Sequence, residues 1–164
     1  MLARVIVIAG PSGSGKSRLA ERTGLPVLRL DDFYKDGSDP TLPHITDGAN
    51  AGIVDWDDPA SWLIDDAFVA LETLCRNGVG DVPVYDIAHD GRTGWQRLDL
   101  GGASHFVAEG IFARRSCRAP ARPACWPRRC ACASTLPSPS GAGSPVTCAS
   151  TGSRRSCWCA AGSH

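Results

Sequence analysis

The stretch that sets the fold class of this chain is Val5-Ile6-Val7-Ile8-Ala9-Gly10-Pro11-Ser12-Gly13-Ser14-Gly15-Lys16-Ser17. Its first five residues form a short, continuous apolar run, which is typical of a buried parallel strand. Residues 10–17 match the phosphate-binding pattern G-x-x-x-x-G-K-[ST], and residues 17–22 can open a helix. Strand, glycine-rich loop and helix in this order predict a P-loop, whose inward-facing backbone N–H groups form a cradle for a polyphosphate.

The residues of this loop predict an ATP site with a bound magnesium ion. Lys16 is expected to act catalytically by reaching the β- and γ-phosphates, and the Ser17 hydroxyl is expected to bind Mg²⁺. Glu109 follows the apolar run 106–108 and is the predicted partner of Ser17 at the metal, although it could instead cap a helix. The residues predicted to bind ATP are Gly10, Pro11, Ser12, Gly13, Ser14, Gly15, Lys16 and Ser17.

The order of apolar runs and turn residues predicts the rest of the architecture. Strands are expected at 3–9, 27–30, 82–87 and 103–108, and helices from the P-loop to about residue 22 and over 60–76. Residues 36–58 predict a long functional loop, and Pro83 makes 82–87 an edge or hairpin strand. Strands that alternate with helices favour an α/β fold, here an incomplete P-loop NTPase-type parallel sheet with helices on both faces.

Two acidic residues follow the second predicted strand. Asp31 and Asp32 would lie at its carboxyl end, which is where ligands bind in open α/β sheets. A carboxylate at this position could take a proton from an attacking hydroxyl or help to hold Mg²⁺. The pair could equally be solvated loop acids or a helix cap. Phe33 and Tyr34 add an aromatic wall beside them.

Five motifs follow one another along residues 1–113. They are Gly10–Ser17, Leu30-Asp31-Asp32-Phe33-Tyr34-Lys35, Trp56-Asp57-Asp58-Pro59, Pro83-Val84-Tyr85-Asp86 and Ala108-Glu109-Gly110-Ile111. Motifs of this kind occur in this order in uridine kinase-like nucleoside kinases, and residues 1–113 resemble that family. The resemblance implies ATP- and Mg²⁺-dependent phosphorylation of a pyrimidine nucleoside, uridine or cytidine, at its 5′-hydroxyl, as in pyrimidine salvage.

The same resemblance implies roles for individual residues. Asp31 is similar to the family's base that activates the ribose 5′-hydroxyl, and Asp57 to its ligand of the ribose hydroxyls. Tyr34, Tyr85 and His89 look like contacts to the nucleoside. His89 stands one residue closer to Tyr85 than in the family's pattern.

The composition changes near residue 113, which divides the chain into two segments. Residues 1–113 contain all 17 acidic residues and nine of the 17 basic ones, and we assign them to the N-terminal portion of a P-loop nucleoside kinase core. Residues 114–164 contain the remaining basic residues, all arginine, and seven of the eight cysteines. The neutral formal charge of the chain is therefore a cancellation between two unlike segments.

Residues 114–164 show no helical or strand periodicity, and four explanations compete. They are a zinc module built on the close cysteine pairs 130/132 and 157/159, a disulfide scaffold, a basic RNA-binding tail, and translation out of frame in a GC-rich gene. A shifted frame with GC-rich codons can spell leucine-spaced, charge-paired strings for this segment, so we favour the last and expect a non-native, disordered tail. The resemblance places the lid helix and phosphate-clamping arginines here, where none can be matched.

Two alternatives to a pyrimidine nucleoside kinase remain open. One is a P-loop kinase of another small hydroxyl substrate, and the other is a nucleotide-binding fragment without turnover, because the lid is missing. No secretory signal or membrane-spanning stretch is evident, so we expect a cytoplasmic protein with a small-molecule substrate and no nucleic-acid or membrane partner. The oligomeric state cannot be predicted from the sequence.

Overall fold

The computed structural model of this protein describes residues 2–113. Short 3₁₀ helices join some of the elements, at Leu30–Phe33, Pro59–Ser61 and Ile87–His89. The predictions made for residues 114–164 lie outside the described residues. The strands and helices are β1 (Arg4–Ala9), α1 (Lys16–Arg22), β2 (Val27–Arg29), α2 (Ile64–Asn77), β3 (Val79–Asp86), β4 (Gly91–Asp99) and β5 (His105–Gly110).

The central feature is a parallel sheet in which β5 lies between β1 and β2. In its register Val5 lies opposite Phe106, and Leu28 lies opposite Ala108. This confirms the predicted α/β fold with a parallel sheet. The strands predicted for this sheet differ from the observed ones by one or two residues at their ends.

Alternate residues of the sheet strands pack on opposite faces, because successive side chains of a strand point to opposite sides. Val7 and Phe106 join the core cluster that also contains Leu71 of α2. Ile8 and Val107 pack instead against Ala20 of α1. One helix therefore covers each face, as the sequence pattern predicts.

Helix α2 begins at Ile64, later than the predicted start at residue 60. The delay has a local cause, because Asp58 Oδ1 accepts a hydrogen bond from the Ala60 backbone N–H at 2.7 Å and starts a separate 3₁₀ turn. Trp62 then adopts extended backbone geometry and forms an isolated β-bridge with Tyr34. The helix ends at Gly78, whose φ of 74° suits glycine.

The strands β3 and β4 form an antiparallel hairpin beside the sheet. The strand predicted at 82–87 is therefore a hairpin strand, but it starts earlier, at Val79. The sequence pattern does not predict β4, because most of its side chains are exposed and no apolar alternation marks it. Neither helix within residues 2–113 is long and apolar enough to cross a membrane.

Candidate active site

The carboxyl ends of the three parallel strands meet at one edge of the sheet. The P-loop follows β1, the 3₁₀ turn with Asp31 follows β2, and β5 ends with Glu109 and Gly110. In the sheet register Glu109 lies opposite both Ile8 of β1 and Arg29 of β2. The edge that binds ligands in open α/β sheets therefore gathers the residues predicted to act on phosphate.

The P-loop is held in a conformation that requires its glycines. Gly13 and Gly15 have φ values of 72° and 81°, in the left-handed region that glycine adopts without steric cost. A Cβ atom on Gly10 would lie 2.8 Å from Ser14 Oγ. Lys16 is buried, and its Nζ donates to the Pro11 carbonyl oxygen at 3.1 Å, so the ammonium lies over the backbone of the loop.

Ser17 and Glu109 meet although 92 residues separate them in the chain. The Ser17 hydroxyl donates to Glu109 Oε1 at 3.1 Å. Glu109 is only 3% exposed, and its Oε2 is buried without a hydrogen-bond partner among residues 2–113. Burial raises the pKa of Glu109, and the hydrogen bond from Ser17 opposes that shift. A hydroxyl and an unsatisfied carboxylate oxygen are the hard ligands that suit Mg²⁺.

The described part of the chain has no group of three or more His, Cys, Asp or Glu residues that could hold a metal ion. Mg²⁺ is usually bound by one or two protein groups together with substrate phosphates and water. Ser17 and Glu109 therefore form a donor set of the expected size.

Asp31 is oriented by the end of β5. Its Oδ1 accepts a hydrogen bond from the Ile111 backbone N–H at 2.8 Å. Gly110 makes this approach possible, because a Cβ atom there would lie 2.7 Å from the same oxygen. Burial raises the pKa of Asp31, whereas the Ile111 N–H and the Lys16 ammonium lower it. The result is a fixed carboxylate with a greater affinity for a proton than a solvated aspartate.

The neighbouring Asp32 adds another carboxylate at the same edge. Its pKa is raised to about 6, chiefly by burial; the Arg29 guanidinium opposes the shift, and the nearby negative charges of Asp31 and Glu109 contribute to it more weakly. Three carboxylates thus share this edge with the cations Arg29 and Lys16.

A cluster of aromatic rings adjoins this edge, and Tyr34 lies at its centre. The Tyr34 ring centroid lies 5.6 Å from that of Trp56, 6.0 Å from that of Tyr85 and 5.9 Å from that of Phe112. Trp56 and Tyr85 also contact each other, at 6.5 Å. We call Tyr34, Trp56, Tyr85 and Phe112 the aromatic cluster.

The electrostatics of Tyr34 connect the aromatic cluster to two of the predicted carboxylates. Its pKa is raised chiefly by burial, and then by the negative charges of Asp31 and Asp57. Both carboxylates are therefore near the Tyr34 ring. The structure thus brings Asp31, Tyr34, Asp57 and Tyr85 into one neighbourhood. In the sequence, only the family resemblance implied that these residues lie together.

His89 is paired with a residue outside the aromatic cluster. It ends the 3₁₀ turn at the tip of the β3–β4 hairpin, and its Nδ1 lies 2.6 Å from Asp86 Oδ2. Its side chain is largely exposed. Its hydrogen-bond partner is Asp86 rather than a member of the aromatic cluster, so its role toward a nucleoside stays a prediction.

Two members of the aromatic cluster were not among the predicted site residues. Trp56 belongs to a recognised motif, but only its neighbour Asp57 is implied as a ligand. Phe112 lies just past the end of β5 and also packs against the Trp62 ring at 5.6 Å. The position of Phe112 after Glu109 and Gly110 at a strand end is the signal that could have identified it.

No family model matches this chain. It is 31% identical over 116 residues to the uridine kinase of Saccharomyces cerevisiae, covering 66% of this chain and 22% of the relative. It is 36% identical over 117 residues to the uridine kinase of Schizosaccharomyces pombe, covering 67% of this chain and 25% of the relative. This chain contains a uridine kinase-like segment.

A solved structure agrees with the fold of the uridine kinase-like segment. A possible uridine kinase from Bacillus stearothermophilus superposes with a TM-score of 0.52 and 20% sequence identity, over 70% of this chain and 64% of that one. At this identity the superposition supports the fold alone.

Another curated relative carries a different name. The inorganic pyrophosphatase TTM2 of Arabidopsis thaliana is 31% identical over 114 residues, which are 66% of this chain and 15% of that protein. The chain spans between 15 and 25% of the length of the three curated relatives. The matches to the two uridine kinases support a kinase-type phosphotransferase, but they establish neither the activity nor the substrate of this chain.

Proposed function

We propose that the uridine kinase-like segment serves the ATP-dependent phosphorylation of a pyrimidine nucleoside, uridine or cytidine, at its 5′-hydroxyl. The observation that carries this proposal is the 3.1 Å contact between Ser17 Oγ and the buried Glu109, with Asp31 at the end of the adjoining strand. A phosphate cradle, a pair of hard oxygen ligands and a candidate base then share one edge of the sheet. Phosphoryl transfer requires this combination.

On the phosphate side, the backbone N–H groups of residues 10–17 and the Lys16 ammonium would bind and neutralise the ATP phosphates. Ser17 and Glu109 would hold Mg²⁺, which when bound withdraws negative charge from the phosphate oxygens. Lys16 and Glu109 are buried in surroundings whose effective dielectric constant is lower than that of water, so their charges act more strongly there than in water.

On the acceptor side, Asp31 would remove the proton of the 5′-hydroxyl. The oxygen of that hydroxyl forms a bond to the γ-phosphorus, the bond from the γ-phosphorus to the bridging oxygen of ADP breaks, and the proton passes to the Asp31 carboxylate. The raised pKa of Asp31 supports this role, because a general base is most effective when its pKa approaches the working pH. The Ile111 N–H fixes the orientation of the carboxylate.

The aromatic cluster would bind the nucleoside. Tyr34 and Tyr85 offer ring faces and edges to a planar base, Asp57 can accept hydrogen bonds from the ribose hydroxyls, and His89 is the remaining candidate contact. With ATP as the donor, we expect a cytoplasmic setting and a small-molecule substrate.

A second candidate is a P-loop enzyme that acts on another small phosphate acceptor, or that binds a nucleotide without turnover. The match to an inorganic pyrophosphatase favours keeping it, since that relative shares a similar level of identity.

The test is turnover by the purified full chain, and by the same protein with its reading frame restored after residue 113. Each is incubated with Mg²⁺ and ATP and with uridine, cytidine, adenosine, pantothenate, a phosphosugar or pyrophosphate, and products are separated by chromatography. Uridine or cytidine 5′-monophosphate formed together with ADP supports the proposal. Preference for another acceptor, or ATP binding in both proteins without any product, contradicts it and favours the second candidate.

A further inference from the structure

The tip of the β3–β4 hairpin is bound to the segment that follows Tyr34. Asp36 Oδ1 accepts a hydrogen bond from the Arg92 backbone N–H at 2.9 Å, across 56 residues of sequence. The Gly37 N–H donates to the Asp90 carbonyl oxygen at 2.6 Å. Two hydrogen bonds thus join this loop to the hairpin, and neither belongs to the sheet or to the hairpin ladder.

The β3–β4 register shows which part of the hairpin these two hydrogen bonds hold. Arg92 lies opposite Tyr85, directly after an irregularity in the ladder between Val84 and Tyr85. Asp36 therefore binds the strand position that faces Tyr85, and Asp36 itself stands two residues after Tyr34. The link joins the backbones that carry two members of the aromatic cluster, Tyr34 and Tyr85, whose ring centroids are 6.0 Å apart.

The two linked segments approach each other closely at glycines and at a residue with positive φ. Asp36 Oδ1 occupies the space that a Cβ atom on Gly91 would need. A Cβ atom on Gly37 would lie 2.9 Å from Asp90 Cβ. Asp90 has a φ of 48°, the sole positive φ at a non-glycine position among the described residues. Unusual backbone of this kind persists where the surroundings determine it, which is expected of a fixed contact.

We propose that Asp36 is a positioning residue for the nucleoside: it holds the hairpin so that Tyr85 stays against Tyr34, and thereby sets nucleoside affinity without acting on the phosphates. This inference rests on the proposed function. The negative charges of Asp90 and Asp36, after burial, raise the pKa of Tyr85, as their closeness requires.

The test compares three variants of the full chain by calorimetric titration with uridine and, separately, with a non-hydrolysable ATP analogue. Asp36→Ala is expected to weaken uridine binding about fivefold to tenfold, the usual scale for one lost hydrogen bond, and to leave the affinity for the ATP analogue within about twofold. Asp36→Asn keeps an acceptor oxygen and should restore most of the uridine affinity. Asp39→Ala is the control, because the Asp39 side chain accepts its hydrogen bonds from Thr41 in the same exposed loop and from no hairpin residue among residues 2–113.

Hydrogen exchange of the Arg92 and Gly37 amides provides a readout that does not depend on a nucleoside. Both amides should exchange faster in Asp36→Ala than in the unsubstituted chain or in Asp39→Ala. Unchanged exchange, or unchanged uridine affinity in Asp36→Ala, overturns the inference. If the unsubstituted chain binds the ATP analogue but no nucleoside, the proposed function fails, and with it the nucleoside role of Asp36, whatever the exchange shows of the link itself.

Discussion

The phosphate side and the nucleoside side of the candidate site are built differently. The phosphate side consists of the P-loop and of residues at strand ends, and Lys16 and Glu109 are buried there. The nucleoside side is carried by loops, by the 3₁₀ turn after β2 and by a hairpin, and its members Tyr34, Trp56 and Tyr85 are only partly buried. The register of the sheet positions the phosphate side, and the docking of loops positions the nucleoside side. Substitutions on the two sides should therefore change different kinetic constants.

The largest effect is expected on the phosphate side, at Lys16. Lys16→Ala removes the buried ammonium over the loop and should lower turnover by about a thousandfold, as for other groups that stabilise transferring charge. ATP-dependent product formation is measured in whichever protein shows turnover, the full chain or the protein with its reading frame restored after residue 113. Lys35→Ala is the control, since Lys35 Nζ donates its hydrogen bonds to Thr41 in the exposed loop. Near-normal turnover in Lys16→Ala would refute the P-loop assignment.

The next effect concerns the base. Asp31→Asn should lower kcat by about a hundredfold while ATP binding persists, which is the scale for a lost general base. Because the pKa of Asp31 is raised, kcat should fall with decreasing pH at a higher pH than an ordinary aspartate would give, and Asp31→Asn should lose this dependence. If Asp32→Asn shows the loss and Asp31→Asn does not, Asp32 is the base.

Gly110 offers a way to disturb the base without replacing it. Gly110→Ala places a Cβ atom against Asp31 Oδ1 and should lower kcat about tenfold, a scale typical of small misplacements of a reacting group. Gly94→Ala is the matched control, because nothing lies within 4 Å of a Cβ atom at that position. Equal kcat values for the two variants would show that the Asp31 carboxylate is not held by the end of β5.

On the nucleoside side, Trp56→Ala should raise the KM for uridine about fivefold and leave the KM for ATP unchanged, since loss of one aromatic contact to a base has about this effect. Trp95→Ala is the control. Trp95 is 62% exposed on the hairpin and contacts the Arg92 guanidinium rather than the aromatic cluster. An equal rise in both KM values would mean that the two sides of the site are not separable.

The smallest effect is one of stability. The pKa of Asp32 is raised in the folded state to about 6 from 3.8, so the folded protein binds this proton more tightly than the unfolded chain does. The stability that Asp32 contributes by binding this proton is therefore fully present below pH 3.8, and it is lost as the pH rises through about 6. Asp32→Asn should raise the stability at pH 7.5 by at most about 1 kcal/mol, because Asp32 is partly exposed, and by less at pH 4. Thermal unfolding at both pH values tests this, and a larger gain at pH 4 would contradict the burial of the charge.

The comparison also explains what could be predicted from the sequence. The P-loop and the pairing of Ser17 with Glu109 follow from local motifs at strand ends, since parallel strands bring their carboxyl ends to one edge. Trp56 could not be assigned in this way, because its contacts with Tyr34 and Tyr85 depend on how a long loop docks. Phe112 was missed, although its place just after the end of β5 could have identified it. Strand β4 was missed for a different reason, as its mostly exposed side chains leave no apolar alternation. The roles implied by the family resemblance stay predictions.

The position of β5 has a consequence for how the protein acquires its structure. β5 lies between β1 and β2 but follows both in the chain, and Arg4 pairs with His105. The sheet therefore closes a loop of about 100 residues, and topologies built on such distant pairs form slowly. At translation rates of about 5–20 residues per second, β1 is synthesised several seconds before this partner. Until β5 has been synthesised, β1 and β2 lack the strand that joins them, so the edge that carries the phosphate cradle cannot form before Gly110 has been added to the chain.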